Sequence, residues 1–148
     1  MYGEGYEKKE SHDYARDTED PSDEWHIYEL VWTPDFISFL LDGKVIRRVH
    51  GDDPAVKLSK RKPQNLLMNF WTPTFANWSD GLDSTDMPWQ LQFDWVETYL
   101  YDPYTHGFRL HWHDDFNKLD YDRWNIQNNL TFEGSSTIFK ASQVSVSK

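Results

Sequence analysis

The sequence of 148 residues contains no cysteine. That excludes a disulfide scaffold and any thiolate-ligated metal, and it leaves the compartment open, because an exported protein need not carry disulfides. Basic charge is scarce: 15 Lys and Arg stand against 25 Asp and Glu, giving a formal charge of −10 and a pI near 4.9. A nucleic-acid or anionic-membrane partner needs a basic patch, so neither is expected, whereas an acidic surface suits an uncharged ligand. No apolar run reaches the ~18 residues of a membrane span, and no signal peptide is visible at Met1. A sustained helical period is missing too; apolar residues recur with period two.

Aromatic surface is what the chain has in excess. Phe, Trp and Tyr make up 17% of it, with eight Trp, more than the core of one small domain needs. Some rings are therefore expected to face solvent or ligand. The stretch Leu66-Leu67-Met68-Asn69-Phe70-Trp71 shows how. On a strand, successive side chains point to opposite faces. Leu66, Met68 and Phe70 would share an apolar, sealing face, and Leu67, Asn69 and Trp71 the other. An indole plate two residues from an amide suits a sugar ring, with its apolar face and polar rim. A buried strand with a satisfied Asn is the alternative.

Residues 1–24 are polar and charged, and the carboxylates from Asp17 to Glu24 read as a solvated loop. Strands are expected over Trp25–Trp32 and Phe36–Leu41, joined by Thr33-Pro34-Asp35, and again over Lys44–Val49 after Asp42-Gly43. That dipeptide fits a two-residue type I′ loop, in which both central residues need positive φ. A polar loop runs from His50 to Lys62, and a Thr/Pro/Asn/Ser/Asp/Gly-rich loop from Thr72 to Pro88 carries Trp78. Gln90–Tyr101 alternates, with Glu97 a polar intruder on the face of Leu91, Phe93, Trp95, Tyr99 and Tyr101. Further strands are expected over Phe108–Trp112, Thr131–Phe139 and Gln143–Val146. The predicted fold class is all-β, a sandwich with turns at close spacing.

Several of these segments resemble glycoside hydrolase family 16, the jelly-roll β-glucanases with a concanavalin A-like sandwich. The hairpin Trp25-His26-Ile27-Tyr28-Glu29-Leu30-Val31-Trp32-Thr33-Pro34-Asp35 with Leu41-Asp42-Gly43-Lys44, then Met68-Asn69-Phe70-Trp71, then Asp94-Trp95-Val96-Glu97-Thr98-Tyr99, are similar to that family's segments in the family's order. Leu110-His111-Trp112-His113-Asp114-Asp115-Phe116, Asp122-Arg123-Trp124 and Thr131-Phe132-Glu133-Gly134 resemble its opening segment, which here comes last. The order resembles the circularly permuted lichenases, in which the old termini are joined and new ones open elsewhere, as surface termini lying close together allow. The implied organisation is a polar lead over 1–24, the carboxy-terminal half of the sandwich over 25–101, a permutation linker over 102–107, and the equivalent of the amino-terminal strands over 108–148.

The resemblance implies a secreted endo-β-glucanase acting on β-1,3-1,4-glucan by a retaining mechanism, with no cofactor required for catalysis. It implies glucan contacts at Asn69, Trp71, Trp78 and Glu133. In some members the position of Asp94 contributes to a structural calcium site, which needs six to eight oxygens; a strand Asp simply facing water is the other reading. The family's catalytic strand has the form Glu-x-Asp-x-Glu, and no such strand occurs here; the nearest approach, Ala15-Arg16-Asp17-Thr18-Glu19, lacks the first Glu. No catalytic carboxylate is therefore assigned. Sandwiches of this kind run to about 200–250 residues, so the chain is expected to be part of a permuted enzyme, with a complementary half-domain or self-association as its protein partner. A non-catalytic carbohydrate-binding jelly-roll module is the alternative. His111 and His113 lack further ligands at zinc spacing, and the sequons Asn77-Trp78-Ser79 and Asn129-Leu130-Thr131 matter only in a eukaryotic secretory context.

Overall fold

The computed structural model describes residues 23–59, 63–74 and 87–146. The chain divides into two compact units, Met1–Leu66 and Leu67–Lys148. The boundary falls inside the Leu66–Trp71 stretch, whereas correspondence to family segments divides the chain after residues 24, 101 and 107; spatial contact and segment order are different criteria.

The first unit is an antiparallel meander of β1 (Tyr28–Trp32), β2 (Phe36–Leu41) and β3 (Lys44–His50). Thr33 shapes the first turn. Its hydroxyl accepts from the Asp35 and Phe36 amides and donates to the Phe36 carbonyl, each at 3.2 Å. The second turn is the expected two-residue loop, with Asp42 at φ 49° and Gly43 at φ 74°. A register shift between Phe39 and Leu40 interrupts the β2–β3 ladder. Ser38 is buried opposite Arg48, whose Nε donates to its Oγ at 2.8 Å while the guanidinium lies 4.5 Å over the Phe36 ring. The Gly51 amide donates to the Asp35 carbonyl at 2.6 Å, tying the exit of β3 to the first turn.

Where a polar loop was expected from His50 to Lys62, Pro54–Ser59 forms a short helix, α1. Asp53-Pro54 is the signal for it: an N-cap type residue followed by proline at the first helical position, where a missing N–H costs nothing. Val56 in this helix is fully buried, and Leu41 nearly so.

The second unit is organised by a hairpin of β4 (Val96–Asp102) and β5 (Gly107–Asp114). The expected linker over 102–107 is its turn. Asp102 accepts from the Tyr104 amide and the Thr105 hydroxyl, both at 2.9 Å, and His106 takes φ 55°. One face of the hairpin is packed. Trp112 meets Trp124 edge-on at 6.0 Å, Phe116 leans on Trp124 at 5.7 Å, and the Arg123 guanidinium caps Trp112 at 4.4 Å. Trp124 Nε1 donates to Asp114 at 2.7 Å. The opposite face, bearing Glu97, Tyr99 and Tyr101 across from His113, Leu110 and Phe108, is open.

A strap adds further contacts within this unit. Thr72 N donates to Thr137 Oγ1 at 3.1 Å, the Ser136 amide and hydroxyl donate to the Thr72 carbonyl at 2.9 and 2.8 Å, and Thr74 N donates to the Gly134 carbonyl at 2.9 Å.

The all-β class holds. Every described strand is antiparallel, and the helical content among the described residues is α1 and one 3-10 turn at Ala141–Gln143. Several expected strands are not formed. Residues 63–72 join no ladder, β4 begins at Val96 rather than Gln90, and the 131–139 stretch holds only the isolated bridges Pro73↔Ser135 and Leu130↔Phe139. A strand exists only with a neighbour to bond to; period two says which residues share a face, not that a partner lies alongside.

Candidate functional site

The strap builds the site. By closing Thr72 onto Ser136 and Thr137, it brings Trp71 against Phe132, ring centroids 4.9 Å apart at 73°. Phe132 in turn stacks on Phe139 at 6.0 Å. Edge-to-face and offset contacts of this kind hold a ring without a covalent tie. Glu133 follows Phe132 in a turn closed by the Ser135 amide on the Phe132 carbonyl at 3.1 Å, with Gly134 at φ 87° taking the left-handed conformation. Trp71 and the Glu133 turn are thus brought together, and the Glu133 side chain is exposed. Asn69 is exposed two residues before Trp71. Trp78, the Asn77 sequon and the Ala15–Glu19 run lie outside the described residues.

The faces expected of Leu66–Trp71 are not realised as drawn. Leu66 and Phe70, meant to seal a core, are each 50% exposed, while Trp71 is partly buried. Without a ladder no pleat enforces alternation, and the Phe132 contact decides instead where Trp71 goes.

Asp94 is exposed just before β4, and among the described residues no group of three or more His, Cys, Asp or Glu is placed to hold a metal ion. One exposed carboxylate does not by itself make the oxygen cage calcium requires.

A constellation that composition did not announce lies on the open face of the hairpin. Glu97, the polar intruder among the rings, accepts from the Tyr99 hydroxyl at 2.5 Å and pairs with His113 Nδ1 at 3.1 Å. Trp95 stacks over that imidazole, centroids 6.4 Å apart at 23°. The Tyr99 hydroxyl, and after it His113, hold the Glu97 carboxyl below the ordinary carboxylate range. The Glu-x-Tyr spacing was visible in the sequence, but the His113 partner depends on register across the hairpin. Asp42 is held low in the same manner, by the Ile27 amide at 2.9 Å and by His26 at 2.7 Å.

A pH dependence follows. A carboxylate whose folded pKa is depressed contributes stability that is complete above its unfolded value and is lost as pH falls through the folded one. With unfolded values near 4, the contributions of Asp42 and Glu97 are intact at pH 5 and disappear on further acidification. Thermal unfolding between pH 5 and 2 should show a falling midpoint, and the fall should be shallower in Glu97→Gln. An identical slope in that variant would mean the Tyr99–Glu97–His113 contacts add nothing to stability.

The chain is similar to known glycosyl hydrolases. A model of glycosyl hydrolases family 16 matches residues 1–97. A β-glucanase of Fibrobacter succinogenes is 30% identical over 115 residues, covering 75% of this chain and 32% of that protein. Probable xyloglucan endotransglucosylase/hydrolase protein 29 of Arabidopsis thaliana is 31% identical over 104 residues, 63% of this chain and 27% of its own length. A β-glucanase of Acetivibrio thermocellus is 29% identical over 80 residues, 54% and 22% of the two chains. The chain therefore spans about a third or less of the length of the curated relatives it matches. Its antiparallel sheets are consistent with the jelly-roll fold of the matched family. With the match running through β1, β2, β3, α1 and Trp71 to the start of β4, the chain belongs to glycosyl hydrolases family 16.

Proposed function

We propose that this chain is the glucan-binding portion of a secreted endo-β-glucanase that hydrolyses β-1,3-1,4-glucan, and that it does not itself carry the catalytic carboxylates. One observation carries the proposal: the family match spans residues 1–97, yet no Glu-x-Asp-x-Glu strand occurs in the 148 residues. Retaining glycosidases need two carboxyl groups about 5–5.5 Å apart across the scissile bond, one as nucleophile and one as acid then base. The chain's own contribution is binding. Trp71, held edge-on by Phe132, offers its indole to the apolar face of a glucosyl ring, and Asn69 and Glu133 supply hydrogen-bonding groups for the hydroxyls around it.

The permuted order is part of the same proposal. The segment resembling the family's closing strand and the one resembling its opening segment are neighbours in the β4–β5 hairpin, joined by a tight turn. That is the arrangement in which old termini could be fused without moving either strand. A complementary half-domain would cover the apolar side chains left exposed on β1 and β2, such as Tyr28, Leu30 and Phe39. Self-association is the alternative partner for them. Because no catalytic strand is present, a non-catalytic binding module is the second function consistent with these residues.

The test is direct. The 148-residue chain should bind a mixed-linkage tetrasaccharide by calorimetry and release no reducing sugar from barley β-glucan or lichenan. Absence of binding would overturn the proposal. So would release that survives repurification and is lost on mutating a carboxylate within the chain.

A further inference from the structure

The open face of the β4–β5 hairpin is a second surface, remote in sequence from Trp71 along β4. Trp95 (41% exposed) and Tyr99 (51% exposed) are its prominent plates. Tyr101 and Phe108 continue the row, their centroids 5.3 Å apart. Between the plates sits the Glu97–His113 pair, with the Tyr99 hydroxyl on the other carboxylate oxygen.

Two occupants are conceivable for such a row, a protein face or a carbohydrate, and the polar pair separates them. Sealing this surface under a dry apolar face would take Glu97 out of water, although its partners hold it in the charged form. Removing a charge from water costs far more than the neighbouring rings would return. A sugar chain makes the opposite demand. Its rings stack on exposed aromatic faces while its hydroxyls replace water at a carboxylate and an imidazole, so the charge stays solvated by O–H groups. His113 also borders an open cavity of about 320 Å³ that it shares with Asp114 and Arg123 of the packed side and with Asp115, Asn117 and Lys118. The opposite face of the hairpin is already packed by Trp112, Phe116 and Trp124, so this face is not needed for the unit's own packing. A net charge of −10 disfavours anionic ligands here and leaves neutral polysaccharide as the fitting class.

We propose that the Trp95–Glu97–Tyr99–His113 face is an auxiliary binding surface for a neutral β-linked polysaccharide. It shares no residue with the Trp71 site and rests on the proposed function only in sharing its polymer. Its role is to hold the chain on the polymer. A weak second contact on one long ligand raises overall affinity through effective concentration without tightening the first.

The experiment compares a long and a short ligand on the full chain. Affinity electrophoresis in native gels containing soluble barley β-glucan reads polymer binding; calorimetry with a mixed-linkage tetrasaccharide reads the Trp71 site. The Trp95→Ala/Tyr99→Ala double variant should lose several-fold in polymer affinity and keep wild-type tetrasaccharide affinity. Glu97→Gln, which keeps both rings, should lose part of it. Near-UV circular dichroism of the Trp112–Trp124 pair reports whether the packed face persists, and wild-type tetrasaccharide affinity shows independently that the chain is folded. Unchanged polymer retardation in the double variant overturns the proposal, even where Trp71→Ala abolishes tetrasaccharide binding and the Trp71 site stands. Wild-type tetrasaccharide affinity in Trp71→Ala, with polymer retardation lost only in the double variant, would sink the Trp71 site and leave this surface in place.

Discussion

Replacing Trp71 with alanine should weaken tetrasaccharide binding by at least tenfold, about 1.4 kcal/mol. The strap places the indole beside the Glu133 turn, and its edge-to-face contact with Phe132 fixes the plane a sugar would meet. Truncation removes the plate and also leaves Phe132 with an uncovered edge, so part of the loss is reorganisation rather than contact. Asn69→Ala removes the orienting hydrogen bonds, a loss of about 1–3 kcal/mol where the hydroxyls it meets stay unpaired. Calorimetry on both variants, with circular dichroism to verify folding, decides the order. If Phe70→Ala abolishes binding on a folded chain while Trp71→Ala binds normally, the ligand reads the other side of this segment.

The largest effect on stability is expected at Gly51. A Cβ there would lie 2.7 Å from the Asp35 carbonyl oxygen and 2.9 Å from that of Pro34, both backbone atoms. Side chains can swing away from such a clash, but carbonyls in a turn held by Thr33 cannot. The Gly51 amide also donates to that same Asp35 oxygen, so moving the chain apart to admit a methyl group stretches the bond that ties β3 to the turn. Gly51→Ala should therefore destabilise the first unit by about 1–3 kcal/mol. Gly43→Ala makes the informative contrast. It meets no atom within 4 Å, and its cost would come from φ 74° alone. Urea unfolding followed by Trp fluorescence would rank them; equal midpoints for wild type and Gly51→Ala would refute the steric account.

How far the sequence reached can be judged from particular residues. The meander was legible because its turns are chemically explicit: Asp42-Gly43 occupies a loop that requires two positive φ values, and Thr33-Pro34-Asp35 has the side chain that folds it. Family segments were legible for the same reason, since they cluster around those turns. The Leu66–Trp71 stretch shows the opposite. Its alternation is real in the sequence, but a ladder requires a second strand, and among the described residues the hydrogen bonds begin at Thr72, where side-chain hydroxyls do the bonding. Which way Trp71 faces is then set by a residue more than sixty positions away, and no local pattern carries that. The sequence showed Glu97 as a charge among rings; only the β4–β5 register shows that His113 answers it.

The strap at Thr72 has a kinetic consequence. Every ladder among the described residues joins strands adjacent in the chain, β1 to β2, β2 to β3, β4 to β5. Such local pairings close short loops and form early, whereas the Thr72–Ser136 and Thr72–Thr137 bonds close loops of 64 and 65 residues. The hairpins would therefore assemble first and the Trp71–Phe132 contact last. In reverse, the same contact should open before the hairpins do, held as it is by a few hydrogen bonds and ring edges rather than by a sheet. A ligand spanning Trp71 and the Glu133 turn would then act as a clasp, shifting the ensemble toward the closed form in proportion to how far its concentration exceeds its dissociation constant.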